Sequence, residues 1–114
     1  MTEGTIFFRI ANGETDTPLV YEDAHVVAFR DLHPIAPVHL LIVPKRAIAS
    51  LAETTEDDTA LLGHLLSVAR RLAEDQGIAE SGYKLVLNTG PDAGQSVPHL
   101  HLHLIGGKRV SDAT

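Results

Sequence analysis

Three histidines stand at alternate positions near the end of the 114-residue chain, His99, His101 and His103, interleaved with Leu100, Leu102 and Leu104. In an extended strand successive side chains point to opposite faces, so the pattern predicts one leucine face and one imidazole face. Each imidazole brings ring nitrogens that need partners, and it is the side chain suited to proton exchange near neutral pH. Strand spacing sets neighbouring imidazoles roughly 6.8 Å apart and the outer two roughly 13.6 Å apart. Zinc holds its nitrogen ligands at about 2.0–2.1 Å, so His99 and His103 could hardly share one ion from a regular strand. Two of the three plus His39 is the metal arrangement that the spacing allows. A metal-free arrangement fits better. The central His101 attacks phosphorus through a neutral ring nitrogen. Its neighbours hold its tautomer, donate to phosphoryl oxygens or protonate a departing group. A solvated row of imidazoles with no role is the bland reading.

The loop before these histidines can supply donors to a phosphate. Gly90 and Gly94 permit close backbone approach, and Gln95 and Ser96 add side-chain donors. Upstream, Asp31 and Phe29 share one predicted strand face. A carboxylate accepts from two ribose hydroxyls at once, and an aromatic ring can contact a base. On residue type alone, Phe29 fits core packing and Asp31 a strand end equally well. His39 opens a strand and suits a supporting place behind the triad. His25 reads as a surface residue by a turn, and His64 as a helix-face residue. His33 lies in a Pro-rich loop with no role assigned.

These side chains need a scaffold. A length of 114 residues fits one domain, 1–114, with a frayed tail from about 108, and 44% hydrophobic residues support a real core. The absence of Cys excludes disulfides, thiolate metal sites and cysteine nucleophiles. The net charge of −6 argues against a nucleic-acid polymer as partner, while one local site can still bind a small phosphorylated ligand. No long apolar run or signal segment is evident, so the expectation is a soluble, cytoplasmic protein with no membrane partner. Thr5–Ala11 reads as a short helix capped by Thr5 and closed by Asn12-Gly13. Strands are predicted at 19–21, 26–31 and 39–43, the last stopped by Pro44. One long helix is predicted from Thr54 to Gly77, with Thr54 and Asp57 as a capping box and Leu61, Leu65, Val68 and Leu72 on its apolar stripe. Strands at 84–88 and around the histidines complete the order, the last ended by Gly106-Gly107. The class is α+β, and short connections make the sheet antiparallel.

The stretch GQSVPHLHLHLIGG, residues 94–107, resembles the signature of the histidine-triad superfamily. So do DLHPIAPVHLLIVPKR at 31–46, TIFFRI at 5–10, LLGHLL at 61–66 and LVLNTG at 85–90. The resemblance covers nearly the whole chain. It is strongest to the nucleotide-binding HINT branch, because the third triad position is His103 rather than Gln and Gly106-Gly107 follow where another branch has Pro-Arg. It implies a five-stranded antiparallel sheet with one long and one short N-terminal helix, two subunits joining into a ten-stranded sheet.

By the same resemblance His101 is the nucleophile, supported by His99 and His39. His103, Ser96 and Asn88 contact the phosphate or leaving group, Gln95 belongs to the same loop, and Asp31 binds the ribose. Ile6, Phe7, Ile10, Phe29 and Leu32 surround the base. The implied activity is hydrolysis of purine nucleoside phosphoramidates through a nucleotidyl-histidine, in a homodimer that needs no metal or cofactor. The other readings are a nucleotide-sensing or partner-binding dimer, a dinucleoside polyphosphate hydrolase and a His-based metalloprotein. Two departures stand out: Ala47 replaces a His common in relatives, and the chain ends KRVSDAT where many carry a Trp-Pro-Pro-type tail. Leaving-group preference is therefore left open.

Overall fold

The computed structural model describes residues 2–111. After a single turn at Thr2–Gly4, helix α1 spans Ile6–Ala11, followed by strands β1 (Tyr21–Glu22), β2 (Val26–Arg30) and β3 (Val38–Pro44). Helix α2 (Thr59–Asp75) leads to β4 (Tyr83–Val86) and β5 (Leu102–Gly106). The strands form one sheet in the order β1-β2-β3-β5-β4, every neighbouring pair antiparallel. β3 and β4 therefore run the same way with β5 between them, and the turns and α2 that join them cross one face of the sheet. This five-stranded architecture with one long and one short helix is the one the sequence predicts.

Period-2 alternation sorts the side chains. Val26, Ala28, Leu40, Ile42, Leu100, Leu102 and Leu104 pack with Leu65, Val68, Ala69 and Leu72 of α2 in the main core. The opposite parity, Val27, Phe29, Leu41 and Val43, packs against Ile10 and Ala11 of α1, with Phe7 at the margin. The imidazoles share this second parity. The leucines between them are thus buried under α2, which fixes the register and forces the histidines to the α1 side.

Several boundaries differ from expectation. Thr5 caps α1 as expected, its hydroxyl accepting from Phe8 N at 3.0 Å. The long helix begins later than Thr54. Thr54 Oγ1 donates back to the Leu51 carbonyl at 2.7 Å and closes a separate turn before the helix. The capping box uses Thr55 and Asp58, with Asp58 Oδ2 accepting from Thr55 N at 2.9 Å. Asp58 is buried and its other oxygen meets Arg46, which pins the box one residue further on. β1 is shorter than 19–21 suggests, β2 stops at Arg30, and β3 extends through Pro44. β4 sits a residue earlier and ends at Val86. β5 is regular only from Leu102, because Leu100 N donates to the Ile48 carbonyl at 2.7 Å, outside the ladder. It ends at Gly106, where a Cβ would lie 2.7 Å from Ile78 Cδ1. Of the expected frayed tail, residues 112–114 lie outside the described residues. Among the described residues no helix is long and apolar enough to cross a membrane.

Candidate active site

His103 sits in β5 opposite Leu41 of β3 and Val86 of β4, at the centre of the α1 face. His101 stands just before the regular strand, its ring centroid 5.2 Å from that of His103. Phe7 of α1 meets the His101 ring edge-on at 4.9 Å, and Phe29 lies 5.6 Å beyond Phe7. Nδ1 of His101 is 2.7 Å from the carbonyl oxygen of His99. A carbonyl only accepts, so Nδ1 carries the proton and Nε2 keeps its lone pair. Burial lowers the pKa of His101, against the opposing pull of the His99 carbonyl and of Asp31. The ring is therefore neutral near pH 7, with a nucleophilic Nε2.

His99 is placed differently from its two successors. Its ring is fully buried and its Nε2 donates to the Pro44 carbonyl at 2.8 Å, while Nδ1 has no partner among the described residues. Burial lowers its pKa, with the Pro44 carbonyl opposing. The side chain ties the triad segment to the end of β3, and its main-chain carbonyl orients His101. His39 lies in β3, diagonal to His103. Its Nε2 is 2.9 Å from His103 Nδ1 and 3.3 Å from Asp31 Oδ2. Burial lowers His39 as well, against the pull of Asp31. His103 is pushed down to about 4 by burial first, then by its His101 and His39 neighbours, with Asp31 opposing.

A cleft of about 430 Å³ opens over these rings. Ile6, Phe7, Ile10, Phe29 and Leu32 form its apolar end, and Asp31, Asn88 and Ser96 line it beside His101 and His103. Asp31 lies just past β2 and accepts from His33 N at 2.9 Å through Oδ1. Gln95 is not in the cleft wall. Its Oε1 accepts from Gly90 N at 2.9 Å, and its Nε2 donates to the carbonyls of Ala49 at 2.7 Å and Val97 at 3.0 Å. That side chain braces the 90–97 loop from behind.

With this geometry in place, the chain matches the sequence profile of the HIT domain over residues 12–110. The chain belongs to the HIT family. An uncharacterised HIT-like protein of Synechococcus elongatus is 50% identical over 111 residues, 97% of this chain and 96% of that protein. The purine nucleoside phosphoramidase of Escherichia coli K12 is 44% identical over 108 residues, 95% of this chain and 91% of the relative. A HIT family hydrolase from Legionella pneumophila superposes with a TM-score of 0.91 at 45% identity, covering 93% of this chain and 95% of the other. These relatives place this HIT protein in the HINT-like branch.

The cleft of this HIT domain also contains residues that the sequence did not single out, among them Thr17, Arg30, Leu41 and Val97. Leu41 follows from strand parity once β3 and β5 are paired. Thr17 comes from the loop before β1 and is held by Thr15, their hydroxyls 2.9 Å apart; no pattern in the chain announces it. His33 also lines the cleft. Asp31, His39 and His103 bring three potential ligand atoms within 4.8 Å of one another, so a metal would find its donors here rather than along the triad.

A larger cavity of about 660 Å³ lies elsewhere, lined by His25, Lys45, Arg46 and His64 among others. Three of these side chains are already committed: Lys45 to Glu22 at 2.7 Å, Arg46 to Asp58, and His64 Nε2 to Asp23 Oδ2 at 2.6 Å. Size does not decide function here. The smaller cleft holds His101 and His103 together with Asp31, Asn88 and Ser96.

Proposed function

We propose that this HIT protein hydrolyses purine nucleoside phosphoramidates, such as adenosine 5′-phosphoramidate or lysyl-AMP, to a nucleoside monophosphate. The observation that carries the reading is the His99 carbonyl to His101 Nδ1 bond, which reserves Nε2 as an uncharged nucleophile beside the cleft. The base enters the apolar end between Phe7, Ile10 and Phe29, and the ribose hydroxyls donate to Asp31. Asn88, Ser96 and His103 donate to the phosphoryl oxygens. The Nε2 lone pair forms a bond to phosphorus while the P–N bond breaks. Its electron pair leaves on the amine nitrogen, which takes up a proton from solvent. Water then attacks the phosphorus of the nucleotidyl-histidine, the P–Nε2 pair returns to the ring, and the water proton goes to solvent. Splitting the displacement into two steps is the gain of covalent catalysis, and fixed donors around the phosphoryl oxygens stabilise both transition states. No resident metal or cofactor enters this scheme.

The experiment is rapid quench of the full chain with adenosine 5′-phosphoramidate and lysyl-AMP, followed by mass spectrometry of the histidine peptides. An AMP adduct on His101 is expected. Turnover with no adduct on that ring, or with an adduct on another residue, overturns the mechanism. Tight AMP binding with no turnover favours the sensor reading instead.

We also infer a homodimer through β4. β4 is a sheet edge, paired on one side by β5 alone, and it carries exposed Tyr83 and Leu85 with Leu66 of α2 also exposed. Such an edge invites pairing with a second copy, which would extend five strands to ten. Purine nucleotide and a second subunit are the partners this reading requires.

A further inference from the structure

We infer that the backbone N–H of Ile35 fixes the tautomer of His39, and that His39 in turn fixes His103 as a neutral hydrogen-bond donor at Nε2. This rests on the hydrolase reading for its purpose, though not for its geometry. Ile35 lies in the connection between β2 and β3, bracketed by Pro34 and Pro37, whose rings restrict the local backbone. Its amide nitrogen is 3.2 Å from His39 Nδ1. A backbone N–H only donates, so His39 Nδ1 must present its lone pair. A neutral imidazole then carries its single proton on Nε2.

That proton has two acceptors in reach, His103 Nδ1 at 2.9 Å and Asp31 Oδ2 at 3.3 Å. Either way the proton stays on His39 Nε2. His103 Nδ1, facing it at 2.9 Å, must therefore offer a lone pair, because two hydrogens cannot share that gap. The His103 proton is left on Nε2, the polar atom of this cleft-lining ring that has no hydrogen-bond partner among the described residues. The lowered pKa values of His39 and His103 agree with two neutral rings. Ribose hydroxyls donating to Asp31 would remove its claim on the His39 proton and strengthen the bond to His103. Substrate binding thereby tightens the relay.

The polarity also bears on a metal at Asp31, His39 and His103. A ligating histidine donates its second N–H to an acceptor. Here the second nitrogen of His39 receives a hydrogen bond instead, so the relay and coordination through Nε2 require opposite tautomers. Ile35 is thus a positioning residue acting through its amide; its side chain is not in the cleft wall.

The test is a long-range proton–nitrogen correlation spectrum of the full chain labelled with ¹⁵N-histidine, recorded near pH 7.5 with and without AMP. His39 and His103 are expected as Nε2–H tautomers and His101 as the Nδ1–H tautomer. A proton on Nδ1 of His39 or of His103 overturns the proposal. Ile35→Pro removes the N–H, and the single His39 tautomer should become a mixture. kcat should then fall by about the fraction of molecules that leave the working tautomer, and AMP affinity by no more than that fraction, because His103 is one of three proposed phosphoryl donors. Ile35→Ala keeps the amide and should keep the His39 tautomer. If Ile35→Pro folds and both rings retain their tautomers, the relay is wrong; if it does not fold, the wild-type spectrum decides. Wild-type rings in the stated tautomers with no P–N cleavage would sink the hydrolase reading and leave the relay standing.

Discussion

Asp31 and His39 are joined through one carboxylate oxygen. Oδ1 of Asp31 already accepts from the His33 amide, and Oδ2 stands 3.3 Å from His39 Nε2. The same carboxylate lines the cleft, so in the proposed reaction one residue serves both a ribose and the histidine cluster. Asp31→Asn removes the charge and keeps the shape. It should lower kcat/KM for ribonucleotide substrates about ten- to a hundredfold, the scale of hydrogen bonds to a charged group. Steady-state kinetics with a 2′,3′-dideoxy substrate provide the check: wild type and variant should differ far less there.

His101→Ala should abolish turnover while leaving the cleft nearly intact. Removing a covalent nucleophile lowers kcat on the order of 10⁴- to 10⁶-fold. AMP affinity by calorimetry should stay within a few-fold, because the ribose and base contacts lie elsewhere. A variant that still turns over at a tenth of the wild-type rate would place the chemistry on another group.

Acid should destabilise the fold earlier than carboxylate titration alone would. His39, His99, His101 and His103 all have lowered pKa values, chiefly through burial. Below their ordinary value near 6.5 the unfolded chain binds protons that the folded chain refuses, so stability rises with pH across that range. On acidification the loss begins near pH 6.5 and continues down towards the His103 value of about 4. Thermal melts from pH 7.5 to 4.5 should show a falling midpoint. A flat profile over that window would contradict the buried neutral rings.

Asp23 should be the costliest surface carboxylate to lose. Burial works against its charge, yet hydrogen bonds from the Tyr21 hydroxyl, the His25 and Val26 amides and His64 hold its carboxyl well below the usual range. This cluster clamps α2 to the β1–β2 turn. Asp23→Ala should cost about 1–3 kcal/mol by urea denaturation, since several donors lose one acceptor. Asp23 stays ionised throughout the histidine window, so its removal should leave the slope between pH 4.5 and 7.5 unchanged.

Leu66→Lys should separate the proposed subunits. Leu66 is exposed in the single chain, so a lysine there would be buried only against the proposed partner, and burying an unpaired charge is strongly unfavourable. Analytical ultracentrifugation should give a dimer for wild type and a monomer for the variant, both folded by circular dichroism.

The triad was legible because its chemistry is local: three rings and three leucines alternate within six residues. The leucine face went under α2 as the pattern required. The order of elements was equally readable, since the apolar stripes of 61–72 and the strand runs repeat with clear periods. What escaped was long-range. His64 reads as a helix-face residue until the fold brings it to Asp23, 41 positions away. His39 looks like a support for His101, yet its ring meets His103, because the sheet register sets Leu41 rather than His39 directly across from it. Two adjacent threonines hide the start of α2: Thr54 and Thr55 are equal as caps by type, and the contacts of Thr54 with Leu51 and of Asp58 with Arg46 separate them. Gln95 has the side chain of a ligand donor, and nothing in the local sequence reveals that Ala49 and Val97 claim its amide.

That amide has a further effect. By bridging Gly90, Ala49 and Val97, Gln95 holds the glycine-containing segment in shape before anything arrives. An incoming phosphoryl group need not order a floppy strip of chain, and the entropy of that ordering has been spent during folding. In the proposed reaction, a side chain outside the cleft wall can thus set how fast a correct encounter becomes a productive one.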